Sequence, residues 1–303
     1  MPSPRLPSVG CTLAVLAALF AVGTAAPAQE PAAAARWQRW LTATAPPAAA
    51  ELPALLTELN GLLGARDPQL RDDVAFTLLA RWLVRDRIVP VAERRRLLAA
   101  WLAGLHTAPG ADEPDPALRR SFSALCLSLL VALDNREPWC TDAEFADVLA
   151  QTAAWLGREP DERGWDEAVG WVHGTAHAAD VLKFCARSSR LQPADQTRIL
   201  AALADRLERC TAPWTCGEPE RLARVVLALA LRDDGDLEAL EAWLEQVAPT
   251  DLPQPPTRAA LAADHNRRAL LASLCTLLDV TPAAGRLAEA RARVVAAAAR
   301  SLR

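Results

Sequence analysis

Two of the chain's four histidines stand four residues apart in one polar segment, residues 164–180, which reads GWDEAVGWVHGTAHAAD. If this segment is helical, His173, His177 and Asp180 fall within an arc of about 60°. Trp171 falls on the opposite face, where we expect it to pack. One predicted helix therefore presents two imidazoles and a carboxylate at the same place.

Three interpretations fit this arc. A divalent metal ion such as zinc takes His173 and His177 as nitrogen ligands, with Asp180 as a third ligand or as a group that orients a histidine. The well-known zinc helix motif has a glutamate beside its first histidine, whereas Gly174 follows His173 here. Alternatively, the arc is a ligand or substrate pocket in which a histidine is the acid or base and Asp180 fixes its tautomer. In the third interpretation, the same side chains form a structural network with the backbone of neighbouring loops.

Residues 210–221 contain further candidates. Glu218, Glu220 and Arg221 open a predicted helix, where acidic side chains favour the N-terminal dipole, and they support the site only if they reach the histidines. Cys210 and Cys216 flank a turn, and the sequence permits either a local disulfide or two free thiols, because spacing alone does not establish the geometry of a bridge.

The first 28 residues have the layout of a secretory signal peptide. Arg5 precedes an apolar stretch, residues 12–22, and small residues lead to an expected cleavage after Ala28. The apolar stretch is short for a membrane span, which needs about 20 residues, so an uncleaved anchor is the alternative. We therefore expect an exported mature chain, periplasmic or secreted, without a transmembrane span.

Helical periodicity recurs along the rest of the chain. Proline and capping residues mark helix starts near 67, 90, 116, 141, 166, 192 and 218. This regular spacing predicts an all-α fold of stacked antiparallel helical hairpins, an α-solenoid with a HEAT-like superhelix. The expected organisation is a signal peptide at 1–28, a helical or linker segment at 29–66, and one helical array at 67–303.

Composition excludes several classes of protein. The chain is 51% hydrophobic and 23% charged, which is too apolar for a disordered tail. Its net charge of −4 provides no positive field for nucleic acid, so we expect a protein or small-molecule partner instead.

The segment GWVHGTAHAAD at 170–180 resembles the Gly-Trp-x-His-x-x-Ala-His-x-Ala-Asp core of the bacterial DUF2785 family. Similar segments flank it: RDDVA at 71–75, RSFSAL at 120–125 and GEPERLA at 217–223. The resemblance spans residues from about 67 to 278 and implies an all-helical fold. It implies no established reaction, so no functional residue is carried over.

The sequence as a whole predicts an exported α-helical binding or scaffold module with a polar site at His173, His177 and Asp180. The alternative is a metal-dependent hydrolase, zinc-like, that uses the same cluster. Whether the protein is an enzyme is left open by the sequence.

Overall fold

The computed structural model describes residues 31–108, 114–248, 251–282 and 285–300, and within them the chain is all-α. The expected signal peptide at 1–28 lies outside the described residues. The α-helices are α1 (Pro31–Thr42), α2 (Leu52–Leu62), α3 (Thr77–Ala80), α4 (Val91–Gly104), α5 (Pro116–Asp134), α6 (Asp142–Arg158), α7 (Gly174–Ala186), α8 (Pro193–Arg209), α9 (Glu218–Ala230), α10 (Leu237–Val247), α11 (Arg258–Val280) and α12 (Arg286–Arg300). Helix α3 continues into π-helical turns on both sides, Gln69–Phe76 before it and Arg81–Arg85 after it.

A helix begins within two residues of six of the seven starts that the sequence signals predict. Pro116 is the first residue of α5, and Thr141 caps α6 by accepting a hydrogen bond from the Glu144 amide at 3.1 Å. The Glu144 carboxylate accepts from the Thr141 amide in return, which completes a capping box. Local capping chemistry thus determines these boundaries.

The expected helix start near residue 166 is wrong, because a small hairpin occupies this place. Strands β1 (Trp165–Asp166) and β2 (Gly170–Trp171) pair antiparallel, and α7 begins only at Gly174. The Asp166 carboxylate accepts hydrogen bonds from the backbone amides of Ala168 and Val169 in the turn, at 2.9 and 3.2 Å. Gly170 has φ of +75°, a left-handed conformation that glycine adopts without steric cost. Trp171 therefore lies on a strand and not on a helix.

Helices two positions apart in the chain pack side by side. Helices α5, α7, α9 and α11 form one row, and α6, α8, α10 and α12 form a second. Two such rows are what stacked helical hairpins produce, while the superhelical curvature of a solenoid stays a prediction.

Helix α7 lies near the middle of the first row, between α5 and α9, and it also contacts α6. Its small residues let these neighbours approach closely: Gly174, Ala176, Ala178 and Ala179, all buried. Helix α5 is the one described helix with the length and hydropathy of a membrane span, but most of it is buried in the core. This packing holds the first turn of α7 in fixed relation to α5 and α9.

Candidate functional site

The site is built on the loop between α6 and α7, residues 159–173, which buried arginines hold in place. Arg71 donates to the carbonyl oxygens of Ala65 at 2.9 Å and Val169 at 2.8 Å, and its guanidinium lies 4.7 Å from the centre of the Phe122 ring. Val169 itself packs in a small apolar cluster against the start of α5. Arg71 therefore ties the hairpin to the N-terminal helices.

A second set of buried contacts fixes the start of the loop. Arg120 makes a bidentate ion pair with Glu159, with both N–O distances at 2.6 Å. Arg206 donates to the Glu159 carbonyl at 2.6 Å and to the Thr175 hydroxyl at 2.9 Å, so it connects the loop to the first turn of α7. Because both ends of the loop are anchored, His173, its last residue, is held in one position.

His177 lies in the first turn of α7 and has a defined tautomer. The Ser121 hydroxyl donates its single proton to the Val172 carbonyl, so its oxygen accepts from Nδ1–H of His177 at 2.7 Å. The Nε2 atom of neutral His177 then carries a lone pair, and it has no hydrogen-bond partner among the described residues.

His173 precedes α7 in a left-handed conformation, with φ of +54°. This conformation is uncommon for a residue other than glycine and costs on the order of 1–2 kcal/mol. Its Nε2–H donates to the Cys216 carbonyl at 2.9 Å, and its ring stacks on Trp171 with centroids 4.3 Å apart. The rings of His173 and His177 are nearly perpendicular, with centroids 5.7 Å apart.

Both imidazoles are held neutral. Burial lowers the pKa of His173, and the nearby Glu218 carboxylate opposes part of this effect. Burial lowers the pKa of His177 further, and the positive charge of Arg221 acts in the same direction. Neutral imidazoles are the form in which histidine binds metal ions or accepts protons.

Cys216 and Glu218 lie beside His173. The ligand atoms of these three residues all fall within 4.8 Å of one another, and Glu218 Oε1 is 3.7 Å from His173 Nε2. The other carboxylate oxygen of Glu218 accepts from the Cys216 amide at 2.9 Å. Gly164 packs directly on the pair, since a Cβ there would lie 2.5 Å from Glu218 Oε1 and 2.5 Å from the Cys216 Cβ. The loop backbone thus forms one wall of a His–Cys–Glu cluster.

Asp180 faces cations instead of the imidazoles. Its Oδ1 accepts from Lys183 at 2.7 Å, and its Oδ2 accepts from Arg221. The Asp180 side chain is 6% exposed, whereas that of Arg221 is 42% exposed. Asp180 therefore positions Arg221 at the surface beside the cluster.

The model of a protein family described as "Protein of unknown function (DUF2785)" matches residues 77–276. The chain belongs to the DUF2785 family. The match contains every residue of the His–Cys–Glu cluster as well as Asp180 and Arg221. No match was found among curated proteins or among solved structures.

This DUF2785 chain brings together part of the predicted residue set. Trp171, Glu218 and Arg221 lie in or beside the site, whereas Glu220, two residues after Glu218 on α9, is exposed to solvent. Cys216 enters the site as a thiol.

The expected arc on a single helix is wrong, because His173 precedes α7 and only His177 and Asp180 belong to it. The disulfide that the sequence permitted is not formed. Cys210 and Cys216 are free thiols. The Cys210 thiol donates a hydrogen bond to the Leu207 carbonyl and accepts one from the Asn266 side-chain amide.

Proposed function

We propose that this DUF2785 protein is an exported binding module whose ligand is a soft divalent metal ion such as zinc, held by His173, Cys216 and Glu218. The observation that carries the proposal is the convergence of an imidazole nitrogen, a thiol and a carboxylate within 4.8 Å. Zinc ligands lie 2.0–2.3 Å from the ion and about 3.5 Å from one another, so a small closure of the three side chains completes the set.

The chemistry of these donors fits a metal of the zinc type. Thiolate and imidazole together select zinc over magnesium or calcium, which prefer oxygen ligands. To bind through Nε2, neutral His173 carries its proton on Nδ1 and exchanges its hydrogen bond to the Cys216 carbonyl for the metal, while the Cys216 thiol releases its proton to solvent. The lowered pKa of His173 favours the neutral ring that binds.

Glu218 provides a second argument. Its side chain is 3% exposed, yet among the described residues no arginine or lysine lies within ion-pairing distance of it. A buried carboxylate without a full counter-charge is costly, and a bound cation supplies that charge.

A second candidate function is metal-dependent hydrolysis at the same cluster. Three protein ligands leave a fourth position for water, and neutral His177 has its Nε2 atom available as a proton acceptor. Metal-dependent cleavage of 4-nitrophenyl acetate that is lost in His177→Asn, with zinc content unchanged, supports this function. Equal cleavage by the variant contradicts it.

Export completes the proposal and rests on the sequence of residues 1–28. Mass spectrometry of the chain recovered from its native compartment is expected to show a mature N-terminus near residue 29. An intact Met1 on the recovered chain contradicts export.

The metal proposal is tested by zinc stoichiometry after loading and dialysis of the reduced protein, measured by elemental analysis. The wild-type chain is expected to retain one zinc ion. Cys216→Ser, Glu218→Gln and His173→Asn are expected to lose it, and asparagine is chosen because it tolerates the left-handed conformation at 173.

Cys210→Ser is the matched control, because a hydroxyl can keep both hydrogen bonds of the Cys210 thiol. It is expected to retain the metal. A wild-type chain that holds no stoichiometric zinc, or variants that all retain it, overturns the proposed site.

A further inference from the structure

We infer that the site also takes an oxyanion, a carboxylate or phosphate group of a ligand, which Arg221 holds beside the metal position. This inference rests on the proposed metal site and names the class of ligand that the site takes. It follows from the position of Arg221, from the local charge balance and from the start of α9.

Arg221 stands three residues after Glu218 on α9, so both side chains lie on the same face of the helix. Glu218 is buried in the cluster, whereas the guanidinium of Arg221 reaches the surface next to it. Its Nη1 donates to Asp180, which stands three residues after His177 on α7, so the guanidinium connects the two helices that form the site.

The charges around Arg221 leave a net positive group. Asp180 carries one negative charge and shares it between Lys183 and Arg221, so the three side chains together have a charge of +1. Only one nitrogen of Arg221, Nη1, has a hydrogen-bond partner in the described part of the chain. Its other N–H groups are available to a planar oxyanion, which guanidinium binds in a bidentate manner.

Metal binding would leave this positive charge uncompensated. A divalent ion with one thiolate, one carboxylate and one imidazole forms a neutral complex, so Glu218 no longer offsets Arg221. Glu220 is the remaining acidic side chain at this turn, and it is exposed to solvent. The fourth position on the metal and the free N–H groups of Arg221 therefore favour an anion.

Two helices begin at this site. His173 and Gly217, which precede α7 and α9, both have left-handed backbones, and neither helix has a side-chain cap. Gly174 at the start of α7 packs against Trp155 and Glu159, whereas the first turn of α9 carries Glu218 and Glu220. Once the metal takes up the charge of Glu218, the positive dipole end of α9 again favours a negative charge. Arg221 and the start of α9 thus act in the same direction.

The experiment uses the cobalt-loaded full chain, because the visible absorption of Co²⁺ reports changes in its ligands. Sodium acetate and sodium phosphate are titrated separately at constant ionic strength, with perchlorate as the balancing salt. Wild-type protein is expected to give a saturable spectral change with at least one of the two anions. Tighter binding of acetate indicates that the natural ligand offers a carboxylate group, and tighter binding of phosphate indicates a phosphate group.

Arg221→Ala is expected to weaken anion binding about tenfold or more, because it removes a charged hydrogen-bond donor. Arg221→Lys keeps the charge but not the planar fork and is expected to be intermediate. Arg224→Ala is the matched control, since Arg224 is exposed one turn later on α9, and it is expected to bind anions as the wild type does.

The outcomes separate this inference from the proposed function. A chain that takes up no cobalt overturns the metal site and the inference together. A chain that binds cobalt but shows no spectral response to either anion overturns the inference alone. Equal anion binding by Arg221→Ala and Arg224→Ala also overturns the inference alone.

Discussion

Gly164→Ala is the substitution that most sharply separates the metal site from the rest of the fold. The added Cβ would lie 2.5 Å from the Cys216 Cβ and 2.7 Å from its sulfur. Gly164 does not have a left-handed backbone, so alanine causes no backbone strain and acts through its contacts with Cys216 and with Glu218 Oε1, which would lie 2.5 Å from the new Cβ. Because the Cys216 Cβ is attached to the main chain, relief of the clash displaces the ligand loop itself.

The expected magnitude follows from overpacking, which typically costs about 1–3 kcal/mol. For a chain of this length, that loss lowers the Tm by roughly 2–4 °C for each kcal/mol. Displacement of the thiol and carboxylate is expected to weaken zinc affinity about 10–100-fold, as loss of a supporting contact around a metal typically does. Thermal unfolding of the metal-free protein and a competition titration with a zinc chelator measure the two effects separately.

Gly61→Ala is the control for this experiment. Gly61 lies within α2, and a Cβ there meets nothing within 4 Å. Alanine is expected to stabilise the helix by about 0.5–1 kcal/mol and to leave zinc affinity unchanged. If Gly164→Ala binds zinc as tightly as the wild type, zinc is not held by Cys216 and Glu218.

Three further predictions concern the histidines, the anchoring arginine and the thiols. Because His173 and His177 have lowered pKa values, their contribution to stability is complete above pH 6.5. It is lost as pH falls below 6.5, by up to about 1.4 kcal/mol per pH unit for each histidine. Urea unfolding at pH 7.5 and 5.5 tests this, and an unchanged pH dependence in His177→Asn contradicts it. Arg71→Met leaves buried carbonyls without donors and is expected to cost about 3 kcal/mol or more in the free energy of unfolding. Arg71→Lys is not expected to restore this stability, because an ammonium group lacks the planar fork of guanidinium. A cost below 1 kcal/mol means that Arg71 does not anchor the loop. In the native protein, Cys216 is expected to react with a thiol reagent and to be protected by zinc, whereas Cys126 is expected to stay unreactive because burial raises the pKa of its thiol. Equal labelling of Cys216 with and without zinc counts against the site.

The helices could be predicted because their signals are local. A proline at the first position, as at Pro116, or a capping pair, as at Thr141 and Glu144, satisfies backbone groups within one turn. Such chemistry is visible in a few consecutive residues and does not depend on the rest of the fold. The all-α class and the starts of α4, α5, α6, α8 and α9 follow from it.

The hairpin before α7 had no comparable local signal. Its strands are only two residues long, and the left-handed residue that separates it from α7 is a histidine instead of a glycine. That conformation is held by distant contacts, the Cys216 carbonyl and the Arg71 bonds to the hairpin. The expectation of a continuous helix through residues 164–180 therefore failed at the point where tertiary contacts override local preference.

The site itself was only partly predictable. His173 was identified from its spacing to His177. Glu218 was a supporting residue only on the condition that it reach the histidines, and Cys216 was considered only as a disulfide partner or a free thiol. Cys216 is 43 residues from His173 in the chain, and the packing of α7 on α9 brings the two together. A ligand set that spans two helices needs their packing, which no local spacing encodes.

X-ray absorption at the zinc edge of the zinc-loaded chain tests the central claim most directly, because it counts the atoms bound to the metal. The structure predicts one sulfur ligand at about 2.3 Å, from Cys216, together with nitrogen and oxygen ligands at about 2.0–2.2 Å. The sulfur contribution is expected to vanish in Cys216→Ser and to persist in Cys210→Ser. A zinc ion with no sulfur ligand, or with several, contradicts a site formed by His173, Cys216 and Glu218.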